Sequence, residues 1–197
     1  MQKTCGAIIS YGKVPFIKDA IASLEPLRTY IINPFESWWS EDMEDYTAKQ
    51  IKGLDVHLVR KSLANETDAR NFVRRYALAE GYDLVVMIDT DEVLDGLDKL
   101  LDFTKKKDVD AYTCDIIDYA PDYKPLKPRN HKPIVAVKTE NPTYKFYDKR
   151  CYECGWMENV PNVHILHYSF CIPEEFKYKK HKQNGDKFPP DCYRGVI

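Results

Sequence analysis

The chain has 197 residues, a formal net charge of -2 and a hydrophobic share of 44%. The length fits one globular domain, and the balance of Lys+Arg 29 against Asp+Glu 31 argues against a nucleic-acid partner, since such proteins are usually clearly basic. The sequence shows no apolar run for a transmembrane helix and no signal-peptide pattern, so we expect a cytoplasmic protein. The six cysteines are scattered, which favours reduced thiols over a disulfide framework.

The first half of the chain alternates short apolar strands with helices. Its predicted strands are Cys5–Ser10, Thr29–Ile32, Val56–Val59 and Leu84–Ile88. Its predicted helices are a stripe from Phe16 to Leu24, a polar helix over Glu41–Lys52, a helix that Asn65 caps and Gly81 ends, and a stripe of Leu94, Leu97 and Leu101. This rhythm predicts an α/β domain with a largely parallel sheet and right-handed crossovers.

The second half of the chain is more irregular. Its predicted strands are Ala111–Ile117, Ile134–Val137, Tyr144–Tyr147 and Val163–Phe170. A proline-rich loop covers Pro121–Pro133, and a basic helical tail is predicted over Glu174–Lys182. The lysines of this tail, Lys177, Lys179, Lys180, Lys182 and Lys187, either line the entrance for an anionic ligand or form a solvated face.

Three acidic residues follow the most hydrophobic predicted strand: Asp89, Asp91 and Glu92. In open α/β sheets, ligands bind outside the carboxyl ends of the strands. Residues two apart on an extended chain point to one side, so Asp89 and Asp91 are expected to aim at a common point. Mg2+ or Mn2+ suits such a site, because these ions prefer oxygen ligands and bind substrate phosphates. The structural alternative is that these acids cap the following helix.

The segment from Asn65 to Asn71, with Ala69-Arg70-Asn71 on a helix, precedes Val85-Val86-Met87-Ile88-Asp89-Thr90-Asp91-Glu92. This order and spacing resembles the family-2-like glycosyltransferases of GT-A type. The resemblance extends from Cys5 to about Leu101 and is looser beyond. The chain is short for that family, which fits either a piece of a longer polypeptide or a compact, virus-encoded type.

The resemblance implies a GT-A fold, the nucleotide-diphospho-sugar transferase fold, with a Rossmann-like, mostly parallel sheet and a small mixed second half. It implies one domain over residues 1–197, with a nucleotide-binding half at 1–101 and an acceptor-side half at 102–197. The implied reaction moves a sugar from a nucleotide-diphosphate donor, with a UDP-sugar favoured, to a glycan or other hydroxyl acceptor. Mn2+ or Mg2+ is the implied cofactor.

The resemblance also implies roles for residues of the first half. Asp89 and Asp91 would serve the metal and the donor diphosphate, and Arg70 would lie near the donor, since a guanidinium suits phosphate. The alternative for Arg70 is an ion pair on an exposed helix face. The nucleotide would lie against three residues at strand ends, Ser10, Tyr11 and Asn33. Many family members have an acidic residue near the position of Asn33 that contacts the nucleotide base. This chain has none there, so the identity of the nucleotide base is left open.

Two later segments add candidates. Gly155-Trp156-Met157-Glu158 is similar to a family segment that ends in an acid near the acceptor, so Glu158 is the candidate general base, or else an ordinary loop acid. The run from Val163 to Ser169 is similar to a late strand whose histidine completes the metal shell. His167 is therefore a candidate ligand, or else a partly buried, hydrogen-bonded histidine.

Three other functions remain open. Cys151 and Cys154, with His164 and His167, could form a zinc module, although histidines three apart on a strand face opposite sides. A nucleotidyltransferase would also use a carboxylate-held Mg2+, but the loop after Ser10 lacks the expected run of glycines. A non-catalytic sugar-binding module would carry most of the same residues.

Overall fold

The computed structural model describes residues 2–12, 15–36, 44–120, 122–126, 130–141, 144–148, 151–168 and 171. Four helices lie within these ranges: α1 Ile17–Ala22, α2 Thr47–Gln50, α3 Glu66–Ala79 and α4 Leu97–Lys106. The strands of the same ranges are β1 Thr4–Ile9, β2 Thr29–Pro34, β3 His57–Lys61, β4 Leu84–Asp89, β5 Glu92–Asp95, β6 Ala111–Asp118, β7 Ile134–Lys138, β8 Lys145–Asp148, β9 Cys151–Glu153 and β10 Met157–His167.

Eight of these strands form one sheet, in the order β3-β2-β1-β4-β7-β6-β10-β5. The neighbours from β3 to β4 are parallel, as the strand–helix rhythm predicts. β7 is antiparallel to both β4 and β6, so β6 runs in the direction of β4, and β10 is parallel to β6. β5 pairs with β10 in the antiparallel sense. The carboxyl ends of β1, β4, β6 and β10 therefore meet at one edge, which we call the carboxyl edge.

Both faces of the central strands are covered by apolar side chains. Along β1, Ile8 packs on the face of α1 and α4, whereas Ala7 and Ile9 pack on the face of α3. This alternation follows from the pleat of a strand, which sends successive side chains to opposite faces. It explains why β4 needs a continuous apolar run: Leu84 to Ile88 are all buried.

The helix α3 confirms the sequence prediction at both ends. The side chain of Asn65 caps it by accepting the N–H of Asp68 at 2.9 Å, and Asp68 in turn accepts the N–H of Ala64 at 3.1 Å. Gly81 follows the helix with φ of 75°, a backbone conformation that favours glycine. The buried side chains of Ala69 and Val73 fix this helix against the sheet and aim Arg70 at the carboxyl edge.

The segment after β4 differs from the prediction. Leu94 lies in strand β5, and the helix begins at Leu97 because Gly96, with φ of 91°, breaks the helical path between them. The acidic residues therefore do not cap α4: Glu92 opens β5, and the N-cap of α4 is Gly96, which has no side chain to offer. The leucine spacing at 94, 97 and 101 predicted one helix wrongly.

Other predictions hold in part. The short strand β9 was not predicted, and β10 begins at Met157, six residues before the predicted start at Val163. The polar helix predicted over Glu41–Lys52 is confirmed only as α2, and residues 41–43 lie outside the described ranges. The basic tail predicted over Glu174–Lys182, with its lysines, also lies outside them. Within the described residues, no helix has the length and apolar character needed to cross a membrane.

Candidate functional site

The candidate site lies at the carboxyl edge, at the point where the order of successive strands in the sheet reverses. β1 is flanked by β2 on one side and by β4 on the other, which makes the β1–β4 boundary a topological switch point. Ile9 and Asp89 are paired there in register. The hydroxyl of Thr90 donates to the carbonyl of Ile9 at 3.2 Å and ties the two strand ends together.

Ser10 and Asn33 form the side of the site beyond β1 and β2. The amide of Asn33 donates to the carbonyl of Ser10 at 3.0 Å, and the Ser10 hydroxyl lies 3.1 Å from the Thr47 hydroxyl. Tyr11 follows, largely buried. The side-chain oxygen of Asn33 is buried and has no hydrogen-bond partner in the described part of the chain. An acceptor atom that lacks a partner in a buried position is costly.

Arg70 and Asp89 form an ion pair on the α3 face of the edge. The guanidinium, with its side chain 1% exposed, donates from Nη2 to Asp89 Oδ1 at 2.7 Å and to Glu66 Oε1 at 3.0 Å. The alternative for Arg70 was an ion pair on an exposed helix face; the ion pair is present, but this face of the helix is buried. A buried guanidinium between two carboxylates fixes the direction of the Asp89 side chain.

The turn after β4 is closed by Glu92. Its carboxylate is buried and accepts the backbone N–H of Asp89 at 2.8 Å. Because β5 then pairs with the end of β10, Glu92 lies opposite His167 in the ladder. The backbone N–H of Tyr168 continues this ladder by donating to the carbonyl of Asp91 at 2.8 Å. The turn therefore brings Asp91 beside His167.

Asp91, His167 and Asp118 form the polar centre of the site. His167 Nδ1 lies 2.6 Å from Asp118 Oδ1, and His167 Nε2 lies 3.7 Å from Asp91 Oδ2. Burial by itself would lower the pKa of His167, but the hydrogen bond to Asp118 and the charges of Asp91, Glu92 and Asp118 outweigh it, so the pKa lies above its ordinary value. Asp118 was missed from the sequence, although it ends a strand as Asp89 does.

A stack of aromatic rings adjoins this centre, since Tyr168 follows His167 and Tyr119 follows Asp118 in the chain. The ring of Tyr168 lies between those of Phe16 and Tyr119, with centroid distances of 4.9 and 4.8 Å. Such stacks contribute about 0.5–1.5 kcal/mol per pair beyond burial. They join the loop after β1 to the ends of β6 and β10, so they help to hold His167 at the carboxyl edge.

The extended-chain argument predicted that Asp89 and Asp91 aim at one point. In the structure the carboxylate of Asp89 contacts Arg70, whereas that of Asp91 lies near His167. Asp89 ends β4, and alternation places its side chain on the α3 face, where it meets Arg70. The chain then leaves the strand at Thr90, so the period of two no longer holds, and Asp91 reaches His167. The two carboxylates thus have different partners.

Glu158 lies at the opposite edge of the sheet. It is paired with Tyr112 near the start of β6, whereas Asp118 ends that strand six residues later, about 20 Å away at ~3.3 Å per residue. Its carboxylate lies 3.7 Å from the ammonium of Lys107. This placement corrects the prediction that Glu158 acts as a general base beside the aspartates.

The structure also does not bring the residues of the zinc alternative together. Cys154 lies near Glu158, at the edge of the sheet opposite the carboxyl edge. Its thiol is 3.8 Å from the carbonyl of Trp156. His164 is near Asp95 at 3.5 Å, whereas His167 faces Asp118 on the other side of the strand. As expected for residues three apart, the two imidazoles do not converge. Within the described residues, four cysteines form no disulfide: Cys5, Cys114, Cys154 and Cys171.

The polar centre fits a divalent cation that a ligand helps to bind. No three His, Cys, Asp or Glu side chains of the described ranges form a metal site on their own. Mg2+ commonly takes only one or two protein ligands beside substrate phosphates. In an octahedral shell with ligands at ~2.1 Å from the ion, two neighbouring ligands lie about 3 Å apart and two opposite ligands about 4.2 Å apart. The 3.7 Å between Asp91 Oδ2 and His167 Nε2 falls in this interval.

The mostly parallel sheet with some antiparallel strands is that of the GT-A fold, and this protein has that fold. No protein-family model matches the chain, and no curated protein matches it. Among solved structures, it is similar to residues 1–349 of S. aureus TarS, with a TM-score of 0.58 and 10% identity over 94% of this chain and 65% of that one. It is also similar to GalNAc-T7 solved with UDP, GalNAc and Mn2+, with a TM-score of 0.58 and 12% identity over 85% of this chain and 44% of that one. Both are glycosyltransferases, and the chain spans less than two thirds of either.

Proposed function

We propose that this protein is a metal-dependent glycosyltransferase that takes a sugar from a nucleotide-diphosphate donor. The observation that carries the proposal is the Asp91–His167 pair, 3.7 Å apart at the carboxyl edge of a GT-A sheet. The pair lies beside the switch point, where α/β sheets of this kind bind their ligands. A carboxylate and an imidazole are both suited to Mn2+, and a donor diphosphate can complete the shell.

In this proposal Asp91 and His167 hold the cation, which is Mn2+ or Mg2+. When bound, the metal neutralises the charge that develops on the leaving nucleoside diphosphate. Asp91 is kept in place by its backbone bond to Tyr168, and His167 by Asp118. The chain therefore orders both ligands before the donor arrives, which lowers the cost of binding.

The nucleotide occupies the side of the site near β1 and β2. Asp89, Ser10, Tyr11 and Asn33 are the proposed contacts, with Arg70 acting through Asp89 because its guanidinium is buried. The donor in this proposal is a UDP-sugar. The bound UDP of GalNAc-T7 supports the same choice of a UDP-sugar.

The site draws on both halves of the chain, which supports a single domain over residues 1–197. Asp89 and Asp91 come from the proposed nucleotide half, 1–101, whereas Asp118 and His167 come from the acceptor half, 102–197. The acceptor in this proposal is a glycan or another hydroxyl compound. It approaches the carboxyl edge, because the sugar of the donor must lie beside the metal-held diphosphate.

The test is donor binding by calorimetry, with UDP-sugars and GDP-sugars, each with Mn2+ and with EDTA. We expect binding that needs the metal and is lost in Asp91→Ala. Asp95→Ala is the matched control, because Asp95 lies in the adjoining strand β5 with an exposed side chain. A folded protein that binds no donor with any metal would refute the proposal. Metal-dependent binding without product formation from any acceptor would favour the sugar-binding module.

A further inference from the structure

Asp118 is a buried acid that contacts a proposed metal ligand, His167. It ends β6 and is paired in register with His167, the last residue of β10. The two strands are parallel neighbours, so the paired side chains lie on the same face of the sheet. The side chain of Asp118 is 6% exposed and that of His167 is 15% exposed, and their 2.6 Å contact joins Oδ1 to Nδ1. The backbone pairing of two strands therefore enforces this hydrogen bond.

This contact decides which nitrogen of His167 carries the proton. A carboxylate accepts only, so Nδ1 must carry the hydrogen that joins them. In the neutral imidazole, the lone pair is then on Nε2, the atom that faces Asp91 Oδ2 at 3.7 Å. That distance exceeds the range of a hydrogen bond but suits two ligands of one cation. The opposite tautomer would present an N–H to the cation and could not bind it.

We propose that Asp118 is a positioning residue for the cation: it fixes His167 as the Nδ1–H tautomer and holds its Nε2 toward the ion that Asp91 shares. This inference rests on the proposed function, since it assumes a cation at Asp91 and His167. Carboxylates that accept from the second nitrogen of a metal-binding histidine strengthen metal affinity by about 10- to 100-fold in other proteins. A comparable loss is expected when Asp118 is replaced.

The first experiment measures Mn2+ affinity by electron paramagnetic resonance of the free ion, in the presence of UDP. We expect Asp118→Asn to weaken Mn2+ binding by about 10- to 100-fold while the melting temperature stays near that of the wild type. The matched control is Asp115→Asn on the same strand, where an exposed carboxylate pairs with Lys132 at 3.0 Å. Asp91→Ala and His167→Ala are measured beside them.

The second experiment reads the tautomer of His167 in metal-free protein from imidazole nitrogen shifts, at a pH high enough for the imidazole to be neutral despite its raised pKa. We expect Nδ1–H in the wild type and a mixture of tautomers in Asp118→Asn. An Nε2–H tautomer in the wild type would overturn the inference whether or not the variant folds.

The outcomes separate the inference from the proposed function. If Asp91→Ala and His167→Ala abolish Mn2+ binding but Asp118→Asn leaves it unchanged, the positioning role is wrong and the metal site stands. If neither Asp91→Ala nor His167→Ala changes Mn2+ binding, the proposed metal site fails and the role of Asp118 falls with it.

Discussion

Arg70 Nη2 lies 2.7 Å from Asp89 Oδ1, and the guanidinium is almost fully excluded from solvent. The carboxylate at the end of β4 is thus oriented from the α3 side of the sheet. We expect Arg70→Gln to lower the free energy of unfolding by about 2–3 kcal/mol, less than for a fully buried pair because the Asp89 side chain is 29% exposed. Urea unfolding measures this change, and the donor titration should show weaker binding.

The control for Arg70 lies on the same helix. Arg75 is 4.0 Å from Asp68, and both side chains are well exposed, so Arg75→Gln should change stability by no more than about 0.5 kcal/mol. Arg70→Lys should recover part of the loss, because it keeps the charge but not the planar fork that reaches two carboxylates. Equal effects of Arg70→Gln and Arg75→Gln would contradict the role assigned to the buried pair.

Glu158 is the residue for which the structure changes the expected mutant phenotype. Since it lies at the edge opposite Asp91, Glu158→Gln should leave donor binding and turnover within about twofold of the wild type, as for a surface substitution away from the site. Asp91→Asn, measured in the same assay, should lose turnover by about two orders of magnitude or more, because a metal contributes several kcal/mol to charge stabilisation. A large loss in Glu158→Gln alone would restore its predicted role as a base.

Asn71 joins α3 to the β8–β9 hairpin. Its amide group makes two hydrogen bonds with the backbone of Phe146, donating to the carbonyl and accepting the N–H, both at 2.8 Å. We expect Asn71→Ala to cost about 1–3 kcal/mol and to speed hydrogen exchange at the Phe146 amide. Lys145→Ala, at an exposed position of the same strand, is the control. Unchanged exchange at Phe146 in Asn71→Ala would show that packing alone holds the hairpin.

Local sequence signals predicted the elements that depend on neighbours in sequence. The cap at Asn65, the stripe of Ala69 and Val73, and the apolar run of β4 each lie within one segment, and each is confirmed. The position of Asp89 at a strand end followed from that run. These features can be predicted from periodicity and capping residues, and both are visible within one short segment of the sequence.

The rest of the site depends on contacts between distant segments. The Asp118–His167 pair joins residues 49 apart in sequence, and it exists because β6 and β10 are neighbours in the sheet. The pairing of β6 with β10 also places Glu158 at the edge of the sheet opposite the carboxyl edge, although its sequence context resembled an acceptor segment. Gly96 shows why leucine spacing alone did not predict the start of α4. The spacing of Leu94, Leu97 and Leu101 fits a helix, but Gly96 has a left-handed backbone conformation and separates Leu94 from the helix.

The thiol of Cys154 offers a further test of the rejected zinc module. Burial, with the nearby charge of Asp110, raises its pKa to about 11, so little thiolate is present at neutral pH. Alkylation by iodoacetamide at about pH 8 should be roughly two orders of magnitude slower than in the denatured chain, where the pKa is about 8.5. Mass spectrometry of the Cys154 peptide gives the rate. Zinc that protects this thiol further, with stoichiometric zinc in the purified protein, would revive the module.

The raised pKa of His167 gives the metal-free protein a pH-dependent stability. Because the folded pKa exceeds the unfolded value of about 6.5, the protonated imidazole stabilises the fold, and this contribution is complete below about pH 6.5. It is lost as pH rises through the folded pKa, at a slope of up to about 1.4 kcal/mol per pH unit. Urea unfolding in EDTA between about pH 6 and 9 should show this decline. His167→Gln should remove the slope, and a stability that rises with pH over this range in the wild type would contradict the assigned pairing with Asp118.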